Sequence, residues 1–217
     1  MKRFFKIMLF TLLLSAQTVY AQQEDGSFHL VVFGDSLSSG YRLPENTGFV
    51  PVLQQRLLKD GLDNVSVINA AVPGDTTADA LKRIENVLAL NPHAVILEFG
   101  INDILNSINF QTSEENLDKL LKIFQDKDIP VLLIGMRAPF LTEQKSREDF
   151  IGMYKRMAKK YKVAFYPYFL EGVLIEKLGI YDLKYMQEDG SHPNEQGVKI
   201  MVEKFYPTLN KFLNSLE

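Results

Sequence analysis

Residues 30–42, LVVFGDSLSSGYR, set four apolar side chains directly before Gly-Asp-Ser and a run of small polar residues. The apolar run reads as a strand covered on both faces, and Gly34 allows the turn that ends it. Ser36 then sits just past the strand's carboxyl end. A turn accounts for Gly34 and Gly40. It gives Ser36 no purpose, so the rest of the chain must supply one.

Four more short apolar runs lack the strict alternation of a half-exposed strand: VSVIN (65–69), HAVILEF (93–99), PVLLIG (130–135) and VAFYPY (163–168). HLVVF (29–33) is the first of the five. Helix-period stripes lie between and after them. These are Phe49, Leu53, Leu57; Leu81, Ile84, Leu88; Leu117, Leu120, Leu121, Phe124; Phe150, Met153, Met157, Tyr161; and Val198, Met201, Val202, Phe205, Leu209. Thr76 with Asp79 and Thr112 with Glu115 have capping-box spacing. Strand alternating with helix predicts a parallel α/β sheet with right-handed crossovers. Five strands predict a flavodoxin-like three-layer α/β/α sandwich, with strand order 2-1-3-4-5.

The 217 residues suit one domain, and 46% hydrophobic with 24% charged residues is an ordinary globular balance. The start differs. Lys2, Arg3 and Lys6 precede the apolar run IMLFTLLLSA (7–16), and TVYA (18–21) ends in a small residue. That order predicts a signal peptide, residues 1–21, cleaved after Ala21, and one mature domain over 22–217. The apolar run is shorter than the roughly 20 residues a spanning helix needs. An exported protein, in the periplasm or outside the cell, is expected, with no stable membrane insertion after cleavage. Without the three basic leader residues, 21 Lys and Arg face 27 Asp and Glu, a net charge of −6. Such a chain is a poor nucleic-acid binder. The absence of cysteine excludes disulfides, thiolate metal sites and a cysteine nucleophile.

In open α/β sheets, ligands bind outside the carboxyl ends of the strands. Ser36 follows the first strand, Gly74 in NAAVPGDTT (69–77) the second, and Asn102 in GINDIL (100–105) the third. These loops should meet at one sheet edge. A serine hydroxyl needs a base to become a nucleophile. His29 and His93 open strands at the opposite end, whereas His192 lies in EDGSHPNEQG (188–197) just before the last helix. Asp189, three residues upstream, can fix the imidazole tautomer. A plain helix entry at Pro193 and Asn194 also explains that stretch. The Ser36 N–H, the Gly74 N–H and the Asn102 carboxamide are the candidate oxyanion donors. Asp35 and Asp103 are expected to brace the loops, and buried Glu98 needs a partner.

FGDSLSSGY (33–41), the glycine after the second strand, GIND (100–103) and DGSHP (189–193) together resemble the four motif blocks of the SGNH/GDSL hydrolases. The resemblance runs from about residue 28 to the last helix. It is closest to the bacterial periplasmic branch with thioesterase, arylesterase and lysophospholipase activities. It implies Ser36 as nucleophile, His192 as base and Asp189 as orienting acid. It also implies Ser36, Gly74 and Asn102 as oxyanion donors. Ile101 stands where many members of that branch carry glycine. The motif is not the G-x-S-x-G elbow of α/β-hydrolases.

The expected activity is hydrolysis of carboxylic esters or thioesters of a small acyl substrate through an acyl-enzyme, without metal or organic cofactor. An O-deacetylase acting on carbohydrate would use the same groups. A non-catalytic flavodoxin-like binding module is the competing reading. It leaves Ser36, Asn102, Asp189 and His192 without a joint purpose. By position, Phe140 and Leu141 in MRAPFLTEQ (136–144) are expected to wall an acyl groove, although covering the core edge explains them equally well. A monomer is the default expectation.

Overall fold

The computed structural model describes residues 26–138, 143–175 and 180–216. The expected signal segment, 1–21, lies outside them. Five strands form one parallel sheet: β1 (Phe28–Phe33), β2 (Val65–Asn69), β3 (Ala94–Leu97), β4 (Val131–Ile134) and β5 (Ala164–Tyr166). Their order is β2-β1-β3-β4-β5, the order expected from the alternation of elements. Val31 of β1 stands opposite Ile68 of β2 and Val95 of β3, so all three loops leave the sheet at the same edge.

The helices are α1 (Ser36–Ser39), α2 (Phe49–Lys59), α3 (Thr77–Lys82), α4 (Ile84–Leu88), α5 (Ile101–Leu105), α6 (Phe110–Asp126), α7 (Gln144–Tyr161) and α8 (Glu195–Asn214). Helices α2 and α8 pack together on one face, and α3, α6 and α7 on the other. The sheet is therefore covered on both sides. Leu30–Phe33 and Ala94–Leu97 are wholly buried, which is why these runs carry no alternation. Each such side chain contributes about 1.5–3 kcal/mol by burial. Among the described residues no helix is long and apolar enough to cross a membrane.

Three local expectations change. The stripe Leu81, Ile84, Leu88 is not one helix but α3 and α4, broken at Arg83, whose side chain turns toward the loop after β1. Thr112 caps nothing. Asn109 caps α6 by accepting from the Gln111 N–H, and Thr112 lies inside the helix. Asparagine is among the strongest N-caps, so the earlier start prevails. The capping box at Thr76 and Asp79 is present in both directions. A two-stranded antiparallel ribbon, β6 (Leu174–Ile175) with β7 (Ile180–Tyr181), has no counterpart in the periodicity reading. Its strands are two residues long, too short for any period to register.

Candidate active site

The loop after β1 is built by close approach. A side chain at Gly34 would stand 2.6 Å from Ser38 Oγ and 2.7 Å from Glu98 Oε2, so only glycine fits. Asp35 then caps α1 through the Leu37 N–H at 3.0 Å. Ser36 is the first helical residue, and its N–H has no acceptor among the described residues. Gly74 has φ +86° with open space around its missing side chain. The backbone conformation, not crowding, calls for glycine there. Its N–H is likewise without an acceptor among the described residues.

Ser36 Oγ lies 2.9 Å from His192 Nε2, and His192 Nδ1 lies 2.8 Å from Asp189 Oδ2. Asp189 Oδ1 also accepts the N–H groups of Ser191 (2.9 Å) and His192 (3.0 Å). Partial burial raises the Asp189 pKa, but the two N–H bonds and the imidazole outweigh it and hold the carboxyl at about 2. A line of acid, imidazole and hydroxyl can pass the serine proton to the ring and keep the resulting imidazolium stable. The 186–193 segment is closed on itself by the Gln187 N–H donating to His192 O at 2.7 Å. Gln187 Nε2 donates to Tyr41 O and to Pro193 O, each at 3.0 Å, which ties the base loop to the serine loop. Pro193 precedes the helix and Asn194 caps α8, so the helix-entry reading holds alongside the site. His29 and His93 pair with each other at the other end of the sheet, with the His29 N–H donating to His93 Nδ1.

Asn102 Nδ2 donates to Asp35 Oδ2 at 3.1 Å and to Asp75 O at 3.0 Å. The carboxamide therefore joins the loops after β1, β2 and β3. Its neighbour Asp103 is fully buried and takes the Thr77 N–H, the Thr77 hydroxyl and the Ser113 hydroxyl, which anchors α5 to α3 and α6. Asp35 and Asp103 brace the loops as expected. Glu98 accepts from Ser38 Oγ (2.6 Å) and the Asp35 N–H (3.2 Å), the partners its burial demanded. Burial pushes the Asp35 carboxyl up to about 7 and Glu98 well above its usual range.

Arg83 escaped the sequence reading. Its guanidinium donates to Asp75 Oδ2 (2.5 Å), Ala70 O (2.6 Å) and Gly34 O (3.1 Å) and stacks 4.5 Å over the Phe33 ring. One side chain thus fixes the serine loop against the Gly74 loop. The only sequence signal was an arginine on the polar side of an amphipathic stripe, which solvation explains as well.

Ser36, Gly74, Asn102 and His192 line one cavity of about 400 Å³. Its walls are mainly apolar and include Leu37, Ile101, Leu105, Met136, Leu170 and Tyr181. Ile101 is a wall residue, so the departure from glycine narrows the cavity and removes no polar group. Phe140 and Leu141 lie outside the described residues. Ala138, in the same stretch, is buried. Leu170 and Tyr181 were missed because the segment holding them follows no helix or strand period. Among the described residues no three His, Asp or Glu side chains gather as a metal site.

Residues 32–200 match the model of the GDSL-like Lipase/Acylhydrolase family. Esterase TesA of Pseudomonas aeruginosa is 34% identical over 196 residues, covering 90% of this chain and 94% of that protein. Thioesterase 1/protease 1/lysophospholipase L1 of Escherichia coli K12 is 29% identical over 186 residues, 85% of each chain. The crystal structure of TesA superposes with a TM-score of 0.77 at 34% identity, over 85% of this chain and 99% of that one. A parallel sheet that carries a serine, a glycine and an asparagine on its first three loops, matched over this length, leaves one assignment: the chain belongs to the GDSL-like lipase/acylhydrolase family.

Proposed function

We propose that this protein is a serine hydrolase that cleaves carboxylic esters or thioesters of apolar acyl groups. His192 takes the Ser36 proton as Oγ attacks the acyl carbonyl, and Asp189 stabilises the imidazolium. The oxyanion sits among the N–H groups of Ser36 and Gly74 and the Asn102 carboxamide. The imidazolium then gives its proton to the leaving alcohol or thiol. Water, deprotonated by the same ring, releases the acid from the acyl-enzyme.

One observation carries the reading. The line Asp189–His192–Ser36 ends at a cavity lined by Ser36 and Gly74, whose backbone N–H groups have no acceptor among the described residues. The apolar walls favour an acyl chain over a sugar, which would need polar partners. The names of the relatives, esterase and thioesterase with lysophospholipase, point to the same substrate class. We also place the protein outside the cytoplasm as one mature domain, on the order of residues 1–21.

The test is residues 22–217 assayed beside Ser36→Ala on nitrophenyl esters from acetyl to palmitoyl. Hydrolysis that depends on Ser36 and favours medium or long chains is expected. Activity confined to acetyl would move the substrate to acetylated carbohydrate. Full activity in folded Ser36→Ala would overturn the mechanism.

A further inference from the structure

Asp35 and Glu98 are both fully buried, on the segments that follow the two neighbouring strands β1 and β3. The Asp35 backbone N–H donates to Glu98 Oε2 at 3.2 Å, which makes the two buried residues direct neighbours. Both Asp35 oxygens are engaged, Oδ1 by the Leu37 N–H and Oδ2 by Asn102 Nδ2. Glu98 Oε2 takes the Ser38 hydroxyl and the Asp35 N–H. Glu98 Oε1 is sealed from solvent without a donor. Two carboxylates cannot hydrogen-bond to one another, and two adjacent anions in a dry site do not both stay ionised. A single proton supplies the missing bond and removes one charge. It belongs on Glu98, since that group has the oxygen no donor reaches.

We propose that Glu98 is a positioning residue for the reaction: it keeps a proton that it shares with Asp35, and ionised Asp35 holds the Asn102 carboxamide at the oxyanion position. Glu98 touches no substrate and acts through Asp35. The inference rests on the assignment of Ser36 and Asn102 under the proposed function.

The surroundings favour retention of the proton. Asp75 from the loop after β2 and Asp103 from α5 add negative potential at Asp35. The Tyr154 phenol of α7, which donates to Phe99 O, lies near Glu98 and offers it no charge. The Arg83 guanidinium, which reaches Gly34 O next to Asp35, directs its hydrogen bonds to Asp75, Ala70 O and Gly34 O. Burial moves both carboxyls upward. Loss of the shared proton would place two negative charges beside the developing oxyanion. Turnover should then fall on the alkaline side through this pair.

Glu98→Gln separates the possibilities, because its amide can donate to Asp35 and still accept from Ser38. Two readouts are needed. In the infrared difference spectrum between wild type and Glu98→Gln at neutral pH, wild type should show the C=O stretch of a buried protonated carboxyl, absent in the variant. In kcat against pH on nitrophenyl butyrate, with the Ser36→Ala rate subtracted, Glu98→Gln should stay within ~3-fold of wild type at neutral pH and lose the alkaline fall. Glu98→Ala should lower kcat by more than ~10-fold with KM little changed. No protonated-carboxyl band in wild type, or an alkaline fall unchanged in Glu98→Gln, overturns the proposal. A ~100-fold neutral-pH loss in folded Glu98→Gln also overturns it, since the carboxylate itself would then be required. Should Glu98→Gln fail to fold, a carbon-13 carboxyl titration of wild type decides: a carboxyl still protonated at neutral pH supports the pair, and none overturns it. An inactive wild type that shows the band would refute the esterase reading and leave the shared proton standing.

Discussion

Replacing Asn102 by alanine tests the site through two independent quantities. Removing one oxyanion donor elsewhere costs about 10²–10³ in kcat. Here the gain is smaller, because both Asn102 amide hydrogens are already engaged, on Asp35 Oδ2 and Asp75 O. To serve the oxyanion, one must leave the Asp75 carbonyl. A hydrogen bond to a charged acceptor is worth about 1.5–3 kcal/mol and one to a neutral acceptor about 0.5–1.5. The difference, about 1–1.5 kcal/mol, predicts a kcat loss of ~5–13-fold in Asn102→Ala, with KM little changed. Stability should also fall, since alanine strips a donor from buried Asp35 and from Asp75 O. That loss is about 1–3 kcal/mol, or a Tm lower by about 2–12 °C for a domain of this size. Steady-state kinetics on nitrophenyl butyrate and a thermal melt measure both. A variant with the lowered Tm but kcat within ~3-fold of wild type would refute the donor role and leave Asn102 as a loop brace alone.

Arg83→Ala should lower stability by about 1–3 kcal/mol, by leaving Asp75, Ala70 O and Gly34 O short of donors. It should lower kcat more than it raises KM; an unchanged kcat would show that the two loops hold their geometry without it. Gly34→Ala places a methyl group 2.6 Å from Ser38 Oγ and should destabilise by about 1–3 kcal/mol and abolish most activity. Gly74→Ala meets open space and bears only the left-handed backbone cost of about 1–2 kcal/mol. It keeps its N–H and should retain activity within ~10-fold; equal damage from both would contradict the geometry. Asp189 is depressed to about 2, below its unfolded value of 3.8. What its bonds contribute is therefore complete above the unfolded pKa and lost only as the pH falls toward 2. Thermal stability followed downward in pH should therefore lose the Asp189 contribution only below about pH 4; a loss already complete at about pH 4 would contradict the depressed carboxyl.

The strands were legible because β1, β3 and β4 are covered on both faces and must be continuously apolar, whereas their order came from the fold class and not from the residues. Ser36, Gly74, Asn102, Asp189 and His192 were legible because each follows directly after a strand or precedes the last helix, where topology brings loops together. Arg83 was not, since its role depends on a break between α3 and α4 that the stripe of Leu81, Ile84 and Leu88 conceals. The cap of α6 was misplaced for a related reason. Capping-box spacing occurs inside helices as well as at their starts, and only the Asn109 bond to the Gln111 N–H settles which residue is outside. Leu170 and Tyr181 belong to turns and a two-residue strand, so no periodicity could point to the cavity they line. The pairing of Asp35 with Glu98 was half visible. A carboxyl inside HAVILEF had to find a partner, but which one depends on the approach of β1 to β3.

Ser36 and His192 are 156 residues apart, and the helix that begins just after His192 must dock on α2 and β5. During synthesis the serine emerges long before its base. At about 5–20 residues per second the interval is roughly 8–30 s. On the proposed mechanism the growing chain has the hydroxyl and all three oxyanion loops but lacks the imidazole that would accept the proton. Any product that stops short of residue 192 is equally inert, however well its first three strands fold. On the proposed mechanism the fold thus acts as a clock on its own chemistry: ester cleavage would begin only when the last helix closes the domain.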